Sequence, residues 1–157
     1  MTLEQSVVLV KPDGLQRGLL GEIIQRFEKK GLKLAGLKMM RLTDKILDEW
    51  YSHHKNKGFF DELKDFMKSS PIVAMLWEGI EAVDVVRKLV GTTLGREAEA
   101  GSIRGDFSMS QQLNLIHASD GVENSQREKK LIFKKEEEFD WESEAMCLYY
   151  SQEERGK

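Results

Sequence analysis

Apolar positions along the chain follow two periods. Val7-Val8-Leu9-Val10 and the run from Ile72 to Trp77 are continuous apolar stretches, as in strands covered on both faces. Leu20, Ile23, Ile24 and Phe27 recur at i, i+3, i+4 and i+7 and predict a helix; Gly31 suits its C-terminal stop. Lys33 to Leu42 alternates roughly and reads as a further strand. Thr43-Asp44 has the chemistry of an N-cap, and the helix after it carries Ile46, Leu47, Trp50 and Tyr51 on one side. Beyond Gly58, the positions Phe59, Phe60, Leu63, Phe66 and Met67 mark another helical piece, broken by Ser69-Ser70-Pro71. Ala82, Val83, Val86, Leu89 and Val90 predict a helix closed by Gly91.

Other stretches are less regular. Pro12-Asp13-Gly14 forces a turn directly after the first strand. Thr92 to Gly101 has no period and reads as a long surface loop, and Asn114 to Ile116 as a short strand. Asp120 to Glu123 has the spacing of a helix start, with an acid three residues on, and that helix runs to Phe133. Residues 134–157 are charge-rich, with Phe139, Trp141, Met146, Leu148, Tyr149 and Tyr150 scattered among the charges; large apolar side chains in such a tail imply that part of it docks. Helical and strand periods together give an α/β mixture. The pattern does not decide parallel from antiparallel pairing.

Composition narrows this. A chain of 157 residues is one domain, long enough to bury a core without staples. Its formal charge of −3 offers no bulk attraction to nucleic acid or anionic membrane, so any polyphosphate site must be positive locally. The lone Cys147 excludes an intrachain disulfide and reads as a partly buried thiol. With no basic-then-apolar leader pattern and no apolar run near the ~20 residues of a membrane span, the chain reads as cytoplasmic.

Several chemistries start weak. There is no glycine-rich loop ending in Gly-Lys-Ser/Thr, no zinc-spaced Cys or His pair and no Gly-x-Ser-x-Gly elbow. His117 ends a short apolar segment and is followed by Ala118 and Ser119. On position alone it fits either a hydrogen-bonded structural histidine or a nucleophile, since a neutral imidazole titrating near pH 6.5 can attack phosphorus. Lys11 ends a buried strand, where an ammonium either reaches solvent or has a partner. Taken singly, Arg87 fits a solvated helix face, Tyr51 and Phe59 fit core packing, and Glu128 fits a solvated position in a charged helix.

Three motifs occur in order: Lys11-Pro12-Asp13-Gly14, Ile103-Arg104-Gly105-Asp106-Phe107, and Asn114-Leu115-Ile116-His117-Ala118-Ser119-Asp120. Together they resemble the nucleoside diphosphate kinase family, over nearly the whole chain. The resemblance implies a ferredoxin-like βαββαβ core (α+β) with a four-stranded antiparallel sheet, added helices and a long surface loop. It implies a catalytic domain over 1–133, with 134–157 a tail partly docked on it. The implied activity is transfer of the γ-phosphate of ATP to nucleoside diphosphates, by a ping-pong route through a phosphohistidine at His117, with Mg²⁺ carried on the nucleotide phosphates. A homo-oligomer, hexamer or tetramer, goes with the family, and neither a membrane nor an obligate nucleic acid partner.

Site residues follow from the same resemblance. Lys11 matches a lysine that contacts the sugar hydroxyls and the transferred phosphate, and Asn114 an asparagine that binds the ribose. Arg87, Arg104 and Thr93 match residues that hold the phosphates. Tyr51 matches a tyrosine that supports nucleophile and phosphates, and His54 a phosphate-contacting histidine found in many members. Phe59 and Leu63 match the apolar residues that take the base, which stacking does without regard to its identity. Ser119 and Glu128 match the pair that orients the imidazole. There are departures. Gln111 replaces a valine on the far side of the base, Leu113 replaces an arginine, Gly121 replaces a common serine, and the loop 92–101 lacks the family's prolines. Two other readings stand beside the kinase: a non-catalytic nucleotide- or nucleic-acid-binding protein of the same fold, and a histidine phosphatase that passes the phosphate to water.

Overall fold

The computed structural model describes residues 3–52 and 57–155. In chain order the elements are β1 (Leu3–Val10), α1 (Pro12–Gln16), α2 (Leu20–Lys30), β2 (Lys33–Met40), α3 (Asp44–Trp50), α4 (Phe60–Lys68), β3 (Ile72–Ile80), α5 (Ala82–Val90), α6 (Ile103–Phe107), β4 (Ile116–Ala118), α7 (Val122–Ile132), α8 (Met146–Tyr149) and α9 (Gln152–Arg155). The strands form one sheet in the order β2-β3-β1-β4, and every neighbouring pair is antiparallel. With α2 and α5 as the crossovers, this is the ferredoxin-like βαββαβ arrangement.

The two apolar runs occupy the centre of the sheet because only central strands are covered on both faces. Alternate residues divide between two cores. Val8, Val10, Met75 and Trp77 pack with Ile23 and Phe27 of α2 and Val86 of α5. Val7, Leu9, Ala74 and Leu76 pack with Leu47 and Trp50 of α3, Met67 of α4 and Ile132 of α7. Thr43 caps α3 by accepting the Ile46 N–H at 3.3 Å. Gly31 ends α2 at φ 95°, a left-handed value that only glycine adopts without cost.

The structure moves some expected boundaries. Pro12 does not sit in a bare turn but opens α1, where its fixed φ and missing N–H suit the first helical turn. The strand expected at Asn114–Ile116 is displaced to Ile116–Ala118, because Leu115 has φ 72° and cannot lie in a ladder. The segment 92–101 holds a 3₁₀ turn at Gly95–Glu97, and α6 follows it, capped by Ser102 Oγ accepting from Gly105 N at 3.1 Å. Five residues are too few to display a period, so α6 left no signal in the sequence. The N-cap of α7 is Gly121; the Asp120 carboxylate instead accepts from Asn124 Nδ2 at 2.6 Å. Cys147 is exposed, not partly buried, since α8 turns it outward at the end of the chain. In the same tail, Phe139 N donates to Ala35 O at 2.8 Å, Trp141 Nε1 to Leu34 O at 2.9 Å, and the Tyr150 hydroxyl accepts from Ile80 N at 3.2 Å.

Candidate active site

The Lys11–Gly14 motif is a socket for one residue, Leu115. Lys11 N donates to Leu115 O at 2.8 Å, and Leu115 N donates to Asp13 Oδ2 at 2.9 Å. A Cβ on Gly14 would stand 2.7 Å from Leu115 O, so glycine is required there. These contacts hold Leu115 in its left-handed conformation, which costs a non-glycine residue roughly 1–2 kcal/mol.

Asn114, held just before it, is buried and hydrogen-bonded through both ends of its amide. Its Oδ1 accepts from Lys11 Nζ at 2.8 Å, and its Nδ2 donates to Thr93 O at 2.9 Å and Gln111 O at 2.7 Å. Lys11 Nζ also donates to Gln112 O at 3.0 Å. Burial lowers the Lys11 pKa to about 8, assisted by the positive charge of Arg104 and opposed by Asp13. Arg104 is buried too, and donates to Gly91 O at 2.9 Å, Ile116 O at 2.7 Å and Asn114 O at 3.3 Å. Burial, with Arg87 nearby, brings its pKa to about 10; both cations are protonated at neutral pH. Two of the five guanidinium donors are left for an anion.

His117 lies on β4 opposite Leu9 of β1. Its Nε2 is 3.1 Å from both carboxylate oxygens of the buried Glu128. The Ser119 hydroxyl donates to Glu128 Oε2 at 2.6 Å. A carboxylate accepts only, so Nε2 carries the proton and Nδ1 keeps its lone pair. Among the described residues Nδ1 has no hydrogen-bond partner. The Trp50 ring meets the imidazole edge-on, with centroids 5.1 Å apart and planes at 74°. Burial, and to a lesser degree Glu128, raise the pKa of Tyr51, which stays a neutral phenol.

A cleft of about 730 Å³ brings these groups together. Lys11, Tyr51, Phe59, Leu63, Arg87, Thr93, Arg104, Gln111, Asn114, His117 and Glu128, all singled out from the sequence, line it. Ser119 is fully buried behind Glu128. His54 lies outside the described residues. Sequence reasoning missed Trp50, Lys57, Asp120, Asn124 and Arg127 as lining residues. Asp120, Asn124 and Arg127 stand at i, i+4 and i+7, so the helix period would have placed them on one face with Glu128.

Lys11, Lys57, Arg87, Arg104 and Arg127 face this space against Asp120 and Glu128, so the site is positive within a negative chain. Phe59, 48% exposed, offers a flat apolar ring. An imidazole of fixed tautomer, a cationic surround and a half-exposed aromatic ring can bind a phosphorylated aromatic ligand and attack its phosphorus. Among the described residues, no group of three or more His, Cys, Asp or Glu side chains is placed to hold a metal ion, and no helix is long and apolar enough to cross a membrane.

Residues 4–138 match the family model described as nucleoside diphosphate kinase. A nucleoside diphosphate kinase of Parabacteroides distasonis is 51% identical over 152 residues, covering 97% of this chain and 99% of that one. One from Staphylothermus marinus is 54% identical over 141 residues, covering 90% and 100%. The solved structure of a halophilic nucleoside diphosphate kinase from Halobacterium salinarum, in complex with CDP, superposes with a TM-score of 0.92 at 44% identity, over 95% of this chain and 99% of that one. Motifs, fold and cleft thus agree with these likenesses, and the chain belongs to the nucleoside diphosphate kinase family.

Proposed function

We propose that this chain moves the γ-phosphoryl group of ATP to nucleoside diphosphates, with His117 Nδ1 as the temporary carrier. The observation that carries this reading is the hold of Glu128 on Nε2, which leaves Nδ1 with its lone pair in a positive cleft. The lone pair forms a P–N bond to the γ-phosphorus while the bond from phosphorus to the β–γ bridging oxygen breaks. ADP leaves with that electron pair. In the second half, a terminal oxygen of an incoming diphosphate attacks the same phosphorus, and the P–N bond electrons return to Nδ1.

The transferring group is loosely bonded and anionic at the transition state, so positioning and charge do most of the work. Lys11 and Arg104 are the buried donors for the phosphates, with Arg87 and Thr93 at the rim; His54 is assigned to the phosphates by its match alone. Tyr51, kept as a phenol, is assigned to the support of the nucleophile and the phosphates by its match. The buried charge on Glu128 stabilises the positive charge that develops on the imidazole, and Ser119 fixes that carboxylate. Asn114 is assigned to the ribose by its match, with the second lone pair of Oδ1, beside the one that accepts from Lys11, open to a sugar hydroxyl. Phe59 and Leu63 take the base, with Gln111 opposite.

The residues present fit a metal ion brought in on the nucleotide. Glu128 is committed to His117 and Ser119, so Asp120 is the carboxylate in the cleft that would hold Mg²⁺; the Asn124 hydrogen bond and the nearby Arg87 keep Asp120 ionised. Magnesium supplies charge neutralisation on the phosphate oxygens when bound. We assign 1–133 to the catalytic unit and 134–157 to a tail resting on it, working in the cytoplasm as a homo-oligomer of four or six chains. Leu37 and Met39, 49% and 64% exposed on the edge strand β2, favour self-association.

Mass spectrometry after brief exposure to ATP tests the reading. One acid-labile phosphate per chain is expected, lost in His117→Ala and returned to added GDP. Continued release of phosphate from ATP alone would mark a hydrolase instead.

A further inference from the structure

Glu128 holds the nucleophile at one atom only. Both of its oxygens converge on Nε2, which fixes where that nitrogen lies and which tautomer the ring adopts. A hold on that one atom leaves small rotations of the ring plane about the Cβ–Cγ axis soft, because Nε2 lies closer to that axis than Nδ1 and moves less when the ring turns. That rotation decides where the Nδ1 lone pair points, and in-line attack on phosphorus is sensitive to it.

Trp50 supplies the missing constraint. Its indole is 3% exposed, locked in the core by Leu47, Met67 and Leu76, and meets the imidazole at 5.1 Å and 74°. An edge-to-face pair resists tilting of either ring. Trp50 comes from the end of α3 and Glu128 from α7, so the two supports need a common reference. Arg127, adjacent to Glu128, donates to the carbonyl of Glu49, adjacent to Trp50, at 3.2 Å. The two helices are therefore tied one residue away from each support.

We propose that Trp50 is a positioning residue for His117, held in register with Glu128 by the Arg127–Glu49 bond, and that it sets the ring rotation from which Nδ1 reacts. This rests on the phosphohistidine reading above.

Two readouts on the full-length protein test it. The first is ¹⁵N NMR of the imidazole nitrogens without nucleotide, in the native chain, Trp50→Phe and Trp50→Leu. The second is the single-turnover rate of His117 phosphorylation by ATP in the same proteins. The native ring is expected to show one sharp Nε2–H form. Trp50→Leu is expected to broaden or mix the signals and to slow phosphorylation by about 10- to 100-fold, the scale of an ångström-level misplacement. The ATP concentration for half-maximal rate should stay within about 3-fold, and Trp50→Phe, which restores an aromatic edge, should recover to within about 3-fold of the native rate. Unchanged ring signals and an unchanged rate in Trp50→Leu would overturn the proposal. If Trp50→Leu does not fold, Arg127→Ala, which cuts the tie to Glu49, is read in its place: broadened ring signals support the assignment, and native ring signals with the native rate sink it. If the native chain takes no phosphate on His117, the kinase reading fails, and the ring spectra still judge the role of Trp50.

Discussion

Both carboxylate oxygens of Glu128 lie 3.1 Å from Nε2 of His117, while Oε2 also accepts the Ser119 hydroxyl at 2.6 Å. The serine holds the carboxylate, and the carboxylate holds the proton on Nε2. Ser119 is itself anchored to β1, where its N donates to Val7 O at 3.1 Å. The nucleophile is thereby referenced to a central strand of the sheet.

Glu128→Gln keeps the size of the side chain but loses the charge, and its amide nitrogen competes for Nε2. The wrong tautomer becomes available, and the developing positive charge has no counterpart. A fall in kcat of about 100-fold or more is expected, with KM changed by only about 2- to 3-fold, because a charge behind the ring acts on the transition state rather than on ground-state binding. Ser119→Ala should lose less, about 10-fold, as the support of a ligand-holding group does. Steady-state kinetics with two nucleotides check both; a KM effect with kcat intact would contradict the assignment.

Lys11 predicts the alkaline limit of the free enzyme. Its ammonium is charged below a pKa of about 8 and neutral above it, so kcat/KM should fall with a midpoint near pH 8. Lys11→Arg is expected to be slower but flat across that range, since guanidinium stays protonated. Stability runs the other way. The unfolded lysine titrates at 10.5, so between about 8 and 10.5 the unfolded chain binds more protons and stability rises with pH. Rate profiles and denaturation midpoints at matched pH values separate the two effects.

Asp13→Ala leaves the Leu115 N–H without its carboxylate acceptor. An orphaned buried donor costs about 1–3 kcal/mol. The loss should appear in urea unfolding, and activity should drop with it, because Leu115 sets the path from Asn114 to His117. Asp13→Asn, which retains an acceptor oxygen, is expected to lose less of both.

Gln111→Val tests the departure opposite Phe59. A polar amide at the base position gives up apolar contact, at about 25 cal/mol per Å² of lost burial. The valine variant should therefore lower KM for the nucleoside diphosphate by about 2- to 5-fold with kcat unchanged, the pattern of a contact made equally in the ground and transition states. Comparing a purine with a pyrimidine diphosphate shows whether the glutamine favours either base.

The sequence on its own determined the central strands, since runs such as Val7–Val10 are apolar at every position and only a doubly covered strand uses them. It determined the helices long enough to repeat a face, α2 and α5 among them, and Gly31 as a stop. Motif resemblance picked out many of the residues that line the cleft, with Lys11 more than a hundred positions along the chain from Asn114 and His117. The pairing direction needed tertiary structure, because an apolar run serves either neighbour arrangement. So did α6 and the placement of β4, where one left-handed residue, stabilised by Asp13 from across the fold, overrides local preference. The roles of Trp50 and Arg127 were also invisible in one dimension. A tryptophan on an apolar helix face reads as core and an arginine on a charged helix as solvated, until packing sets one against the imidazole and ties the other to Glu49.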